Sequence, residues 1–263
     1  MSQAVRRLII EVNMIETQPH GIEKFISAVM DETQPIIAKL MKNKEFFEVM
    51  SNIIFDEPGA RHVGITPSPK EKSFRKILTG FTEIEATFQA LKDISFYMGH
   101  FPPKHPSISK NRFLNYHIGN YLNENYILRE RLISYQKTIT RMYKSDRRLA
   151  EMGKNVKRLE DLVSGFDGIV NTRGKHVHQE RYGDEDFERL NIYERMTKED
   201  GDDPLVSVVV RLYPLALRDY RKKWIKIISE NNDKIKEILD MYFEILYSVV
   251  FDKNGNWIDP NSA

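Results

Sequence analysis

The sequence predicts an all-α fold, a helical bundle of four principal helices with an N-terminal helical extension. Three observations carry that expectation. Apolar residues recur at threes and fours over long stretches, the period of a helix face. Proline-, glycine- or acid-rich breaks separate those stretches. No strand–helix alternation and no glycine-rich phosphate loop is found, which excludes the common nucleotide-binding α/β folds.

The N-terminal extension, residues 1–72, is the least regular part. Helical patterns around Gly21 to Met30 and Pro35 to Ile54 lead into the turn-rich "DEPGARHVGITPSPK" (Asp56 to Lys70). This reads as an extra helical layer, not a second domain. The bundle proper spans residues 73–251. Its first helix carries Phe74, Ile77, Leu78, Phe81, Ile84, Phe88 and Leu91 on one face, with Ser73 as its cap, and stops at "GHFPPKHP" (Gly99 to Pro106). The second has Leu114, Ile118, Tyr121, Leu128, Leu132, Tyr135 and Ile139 at a spacing close to the seam of a helix bundle.

A third helix, capped by Ser145 or Asp146, aligns Leu149, Met152, Val156, Leu159, Leu162, Phe166 and Ile169, and Gly165 and Gly168 loosen its final turns. After the acidic stretch "TKEDGDDP" (Thr197 to Pro204), a last helix runs from about Leu205 to Phe251. Pro214 is expected to kink it or to split off a first piece. Residues 252–263 form a C-terminal tail.

Composition narrows the function classes. The absence of cysteine excludes disulfides and thiolate metal sites, and fits a reducing cytoplasm. No apolar run approaches a membrane span, and "MSQAVRRLII" is too short in its apolar part for a signal peptide. The expectation is a cytoplasmic protein with no membrane partner. A net charge of +2 announces no nucleic acid in bulk. Basic segments Arg147 to Arg158 and Arg218 to Lys226 concentrate charge locally, but solvated helix faces are the better reading of each.

The stretch that invites chemistry is "NTRGKHVHQERYGDED", Asn171 to Asp186, directly after the third helix. Arg173 and His178 are five residues apart. On a helix they would diverge by about 140°, and on a strand they would face opposite ways. Cooperation therefore needs a bend, which Gly174 can supply. A histidine exchanges protons near neutral pH, while an arginine grips phosphate oxygens in a fork. Together they suit attack of a ribose 2′-hydroxyl on the neighbouring phosphate, a reaction needing no metal or other cofactor. One pair lacks a second acid/base, so a homodimer is attractive. The spacing alone says little, because "RFLNYH" (Arg112 to His117) repeats it within the second helix.

A helical bundle with R-x-x-x-x-H after its third long helix resembles the HEPN superfamily, particularly a prokaryotic branch with a motif near "RGKHVH". The stretch "NYHIGNYLNENYILRERLISY" (Asn115 to Tyr135) is similar to that branch's earlier core helix. The resemblance covers roughly Ser73 to Phe251. It implies a metal-independent, dimeric ribonuclease of toxin–antitoxin or antiviral defence, or a relative that has lost catalysis and only binds. Implied roles are phosphate stabilisation for Arg173 and catalysis for His178. The chain departs from the family pattern at Gly174, where a polar residue is usual; His176 is placed to take over that role or to act as the base. RNA is the implied partner, with an antitoxin or regulatory protein as a further one, and the acidic Glu199 to Asp203 is a candidate element facing it. Tyr182 is a candidate for stacking on unpaired bases or for packing.

On the second helix His117, Glu124 and Arg131 recur every seven residues and line one face, and Asn125 interrupts the apolar stripe. One reading has these four orient the Arg–His motif. The other makes Glu124 and Arg131 a surface ion pair and His117 a satisfied core residue. Two rivals to the ribonuclease stay open. His176 and His178 with Asp184, Glu185 and Asp186 have metal-ligand chemistry but no established spacing. Alternatively, Arg173, Lys175 and His176 merely cap the third helix of a non-catalytic scaffold, with Asp184 to Glu188 neutralising that loop.

Overall fold

The computed structural model describes residues 21–42, 68–100, 107–144, 153–166, 184–198 and 203–261. Among these there are six α-helices and no β-strand, so the fold is all-helical. They are α1 (Gly21–Met41), α2 (Pro69–Gly99), α3 (Lys110–Met142), α4 (Gly153–Ser164), α5 (Glu185–Met196) and α6 (Pro204–Val250). No helix among the described residues is long and apolar enough to cross a membrane.

The predicted stripes are the buried faces. Every one of the seven stripe residues on α3 is buried, as are Phe74, Ile77, Phe81, Ile84 and Leu91 on α2. Leu78 and Phe88 are half-buried at the edge of that face. On α4, Leu159, Leu162 and Phe166 are buried, whereas Leu149, Met152, Ile169 and the proposed caps Ser145 and Asp146 lie outside the described residues.

Four local expectations are corrected. The cap of α2 is Ser68, not Ser73. Ser68 Oγ accepts from the Glu71 amide at 3.1 Å while Glu71 Oε2 accepts from the Ser68 amide at 2.8 Å. This reciprocal capping box satisfies two orphan donors at once, which Ser73 inside the helix cannot do. The two N-terminal helical patterns join through Pro35 into the single helix α1. Pro214 likewise leaves α6 unbroken over its 47 residues. In both cases the carbonyl losing its donor belongs to an exposed residue, Asp31 or Val210, where water can replace the missing bond. Finally, Glu185–Met196, left without an element by the sequence reading, is the helix α5.

The described residues fall into two compact units. Those within Arg6–Phe81, Tyr135–Glu160 and Leu239–Ala263 form one. At its centre Phe25 stacks against Phe81 and Phe243, with centroids 5.4 and 5.0 Å away. Beyond α6 the chain turns back on a loop around Asp252, whose carboxylate accepts from the Asn254 and Asn256 amides at 2.8 and 2.9 Å. Gly255 supplies the positive φ of +85° that this turn needs. The turn brings buried Trp257 to Tyr143, whose hydroxyl accepts from Trp257 Nε1 at 3.0 Å and donates to the Ile258 carbonyl at 2.8 Å.

The described residues within Thr82–Ser134 and Asp161–Ile238 form the other unit, which holds all the functional candidates. Buried Asn232 on α6 donates to the Leu91 carbonyl at 3.2 Å, and Phe187 of α5 stacks on Tyr220 of α6.

Candidate functional site

Arg173, His176 and His178, with Tyr182, lie outside the described residues. The helices on either side of them are well defined. Helix α4 ends at Ser164; the Gly165 amide then donates to the Leu162 carbonyl at 3.0 Å, and buried Phe166 follows. On the far side Asp184 is the N-cap of α5, accepting from the Phe187 amide at 2.8 Å. Carboxylates in the first turn of α5 suit its positive end. Phe187 and Leu190 fasten that helix to the core.

The acidic residues following the motif are already engaged. Lys223 of α6 lies 2.7 Å from Asp186 and 3.9 Å from Asp184. Arg189 adds a second cation 2.6 Å from Asp186. The hydrogen bond to Lys223 holds the Asp186 carboxyl below its usual range and raises the lysine in turn. Asp184 and Asp186 therefore serve as a helix cap and an ion pair, which leaves fewer acceptors for a metal or for a neighbouring basic loop. Glu199 to Asp202 lie outside the described residues, and Asp203 accepts from the Leu205 amide at 2.8 Å at the start of α6.

The four candidates on α3 separate into three kinds. His117 is 8 % exposed and sits among rings, 4.4 Å from Phe113, 5.4 Å from Tyr116 and 5.9 Å from Tyr97 between centroids. Its Nδ1 is buried without a hydrogen-bond partner, and burial lowers its pKa below the ordinary value. Asn125 is fully buried; its amide donates to the Tyr121 carbonyl at 2.7 Å, while its Oδ1 has no partner. Arg131 turns away from this row. Its guanidinium pairs with Glu83 of α2 at 2.5 Å, donates to the Glu83 carbonyl at 2.9 Å and bonds Thr87.

The expected Glu124–Arg131 surface pair is thus not formed, because seven residues along a helix place the two about 10 Å apart and Glu83 across the helix pair is nearer. Glu124 is half-buried. Nor is His117 a satisfied core residue, since one ring nitrogen has no partner. Exposed Arg112 donates to the Ser107 carbonyl at 3.2 Å, so the second R-x-x-x-x-H pair is held apart by its helix.

One residue of this face escaped the sequence reading. Tyr121 was counted with the apolar stripe, yet its hydroxyl is buried without a hydrogen-bond partner and burial pushes its pKa up to about 12. His117, Tyr121 and Asn125 are spaced i, i+4, i+8 and share a face. Three buried polar atoms lacking partners on one face is costly, at about 1–3 kcal/mol each. Their period of four was the signal, masked by counting tyrosine as apolar. Such a row can hold a polar segment or ordered water in one orientation.

Compared with protein-family models, with curated proteins and with solved structures, the chain finds no match in any of the three.

Proposed function

We propose that this protein is a metal-independent endoribonuclease of the HEPN type, acting in defence or as a toxin. The observation that carries the reading is the placement of R-x-x-x-x-H in the chain, just past the end of α4 and before the capped start of α5. A junction between two helices allows the bend that Arg173 and His178 need in order to converge. His178 serves as general base or acid at the ribose 2′-hydroxyl, Arg173 clamps the phosphate, and His176 is the auxiliary group. The buried row on α3 supports the reading as a polar face able to orient such a segment, and the engagement of Asp184 and Asp186 with Lys223 weighs against the metal-site alternative.

The test is cleavage of a labelled RNA in excess chelator. Wild type is expected to cleave, and Arg173→Ala and His178→Ala are each expected to abolish cleavage while keeping the wild-type circular dichroism. Cleavage retained by both variants would sink the site assignment. A folded wild type that cleaves nothing favours the second reading, a non-catalytic helical binding protein. That reading draws on the exposed apolar face of α6.

A further inference from the structure

Helix α6 buries one face along its whole length, yet its first third is apolar on another face too. Leu205, Val208, Leu212 and Leu215 are 57, 51, 44 and 49 % exposed. Their spacing of three, four and three residues confines them to an arc of about 80°, the seam of a helix-on-helix contact. The same seam continues through Asp219, Lys222 and Lys226 at steps of four, three and four, and there it is charged. Four exposed aliphatic side chains that stop at a sharp polar boundary are not the scattered apolar residues of an ordinary surface.

Charge at the two ends identifies what covers them. Glu199, Asp200, Asp202 and Asp203 precede the stripe; Arg218, Arg221, Lys222, Lys223 and Lys226 follow it, with Asp219 as the one acid among them. The stripe is therefore self-complementary in one orientation. Two copies laid antiparallel set the acidic end of each against the basic end of the other. Two copies laid parallel bring like charges together at both ends. Pairing Leu205 with Leu215 and Val208 with Leu212 across a two-fold axis matches apolar to apolar throughout. Arg211, at the edge of the seam, can lay its stem along apolar surface with the guanidinium in water.

The stripe supplies an apolar centre, and the rest of a stable interface has to come from its surroundings. Ile192 on α5 is 56 % exposed. Its neighbour Asn191 accepts from Asn111 at 3.3 Å, and Asn111 accepts from Tyr213 of α6 at 3.1 Å. That chain of bonds sets Ile192 at the level of the stripe. We propose that the Leu205 to Leu215 face of α6 is the surface on which a second copy of this chain docks, the two α6 helices running antiparallel. The inference stands on this face and its end charges, independently of the ribonuclease reading.

Sedimentation velocity of the full chain tests it without RNA. Wild type is expected to be dimeric, and Leu212→Glu is expected to raise the dissociation constant about a hundredfold, as for an interface hot spot. Its melting curve, extrapolated to low concentration, should stay that of wild type, because the side chain is exposed. The chain has no cysteine, so disulfide trapping reads the orientation directly. A mixture of Val208→Cys and Leu212→Cys should cross-link under mild oxidation while neither variant alone does. These milder substitutions keep the test decisive if the glutamate disturbs folding. A monomeric wild type overturns the proposal; if it then binds anionic vesicles through this face, the occupant is lipid. A monomer destabilised by Leu212→Glu means that a segment of this chain covers the face, and also overturns it. A dimer indifferent to Leu212→Glu places the interface elsewhere, and cross-linking of either single variant with itself refutes the antiparallel arrangement.

Discussion

Gly80 is the position where packing and helix propensity disagree most sharply. It lies inside α2, where alanine would ordinarily stabilise by about 1 kcal/mol. A methyl group built there, however, lies 2.5 Å from Cε2 of Tyr135 and closer still to Cδ2. Carbon atoms need about 3.5 Å, so one partner must shift by an ångström or more. Tyr135 has little freedom to do so. It is buried, and its hydroxyl donates to the Ile77 carbonyl at 3.0 Å. Overpacking costs about 1–3 kcal/mol, and a ring that swings away from Ile77 strands a buried hydroxyl for about 1–3 kcal/mol more. Against the propensity gain, Gly80→Ala is expected to destabilise by about 1–5 kcal/mol and to lower the melting temperature by about 2–4 °C per kcal/mol. Thermal and urea unfolding read the effect. In a double-mutant cycle, Tyr135→Leu should cancel part of it, because the smaller side chain makes room for the methyl. An unchanged or raised melting temperature for Gly80→Ala would refute the close approach of α2 and α3 at this level.

Two further perturbations probe the other buried polar groups. Tyr143→Phe removes the hydroxyl that joins Trp257 to the Ile258 carbonyl, at an expected cost of about 1–3 kcal/mol; chemical denaturation followed by tryptophan emission checks it, and wild-type stability would show that the turn after α6 is held by other contacts. His117 should make stability depend on pH. Burial lowers its pKa in the folded state, so the unfolded chain takes up a proton first, and this contribution is present above the unfolded value of 6.5 and lost as pH falls through the folded one. Replacing it by the similarly sized leucine should flatten the decline in stability below pH 6.5, measured by urea midpoints across that range; parallel profiles for wild type and His117→Leu would exclude the burial argument.

The row of His117, Tyr121 and Asn125 and the seam on α6 have a common physical logic. Each is a surface or face whose composition is wrong for its surroundings: polar atoms where water is excluded, aliphatic ones where water is present. Both conditions are expensive in an isolated molecule and are relieved by a partner, whether a chain segment, water or a second copy. Both also sit in the unit that brackets the Arg173–His178 stretch in sequence.

What the sequence by itself determined was the helical class, the apolar faces and most of the breaks between helices. These are local or periodic properties: seven spaced residues on α3 have only one way to be buried together, and a capping box or a proline run acts on the backbone next to it. It missed α5 because that helix carries only two buried anchors, Phe187 and Leu190, amid acids that read as a solvated loop; its stability comes from contacts with α6, such as Phe187 with Tyr220 and Asp186 with Lys223. It also placed the cap of α2 five residues late, since the apolar stripe starts a turn after the helix does. Only the tertiary structure decided that Arg131 answers to Glu83 on another helix, that the hydroxyl of Tyr121 is shut away from water, and that Leu205 to Leu215 face outward. Periodicity marks which residues share a face, but burial and pairing depend on what lies across from that face, and that information is spread over segments distant in the chain.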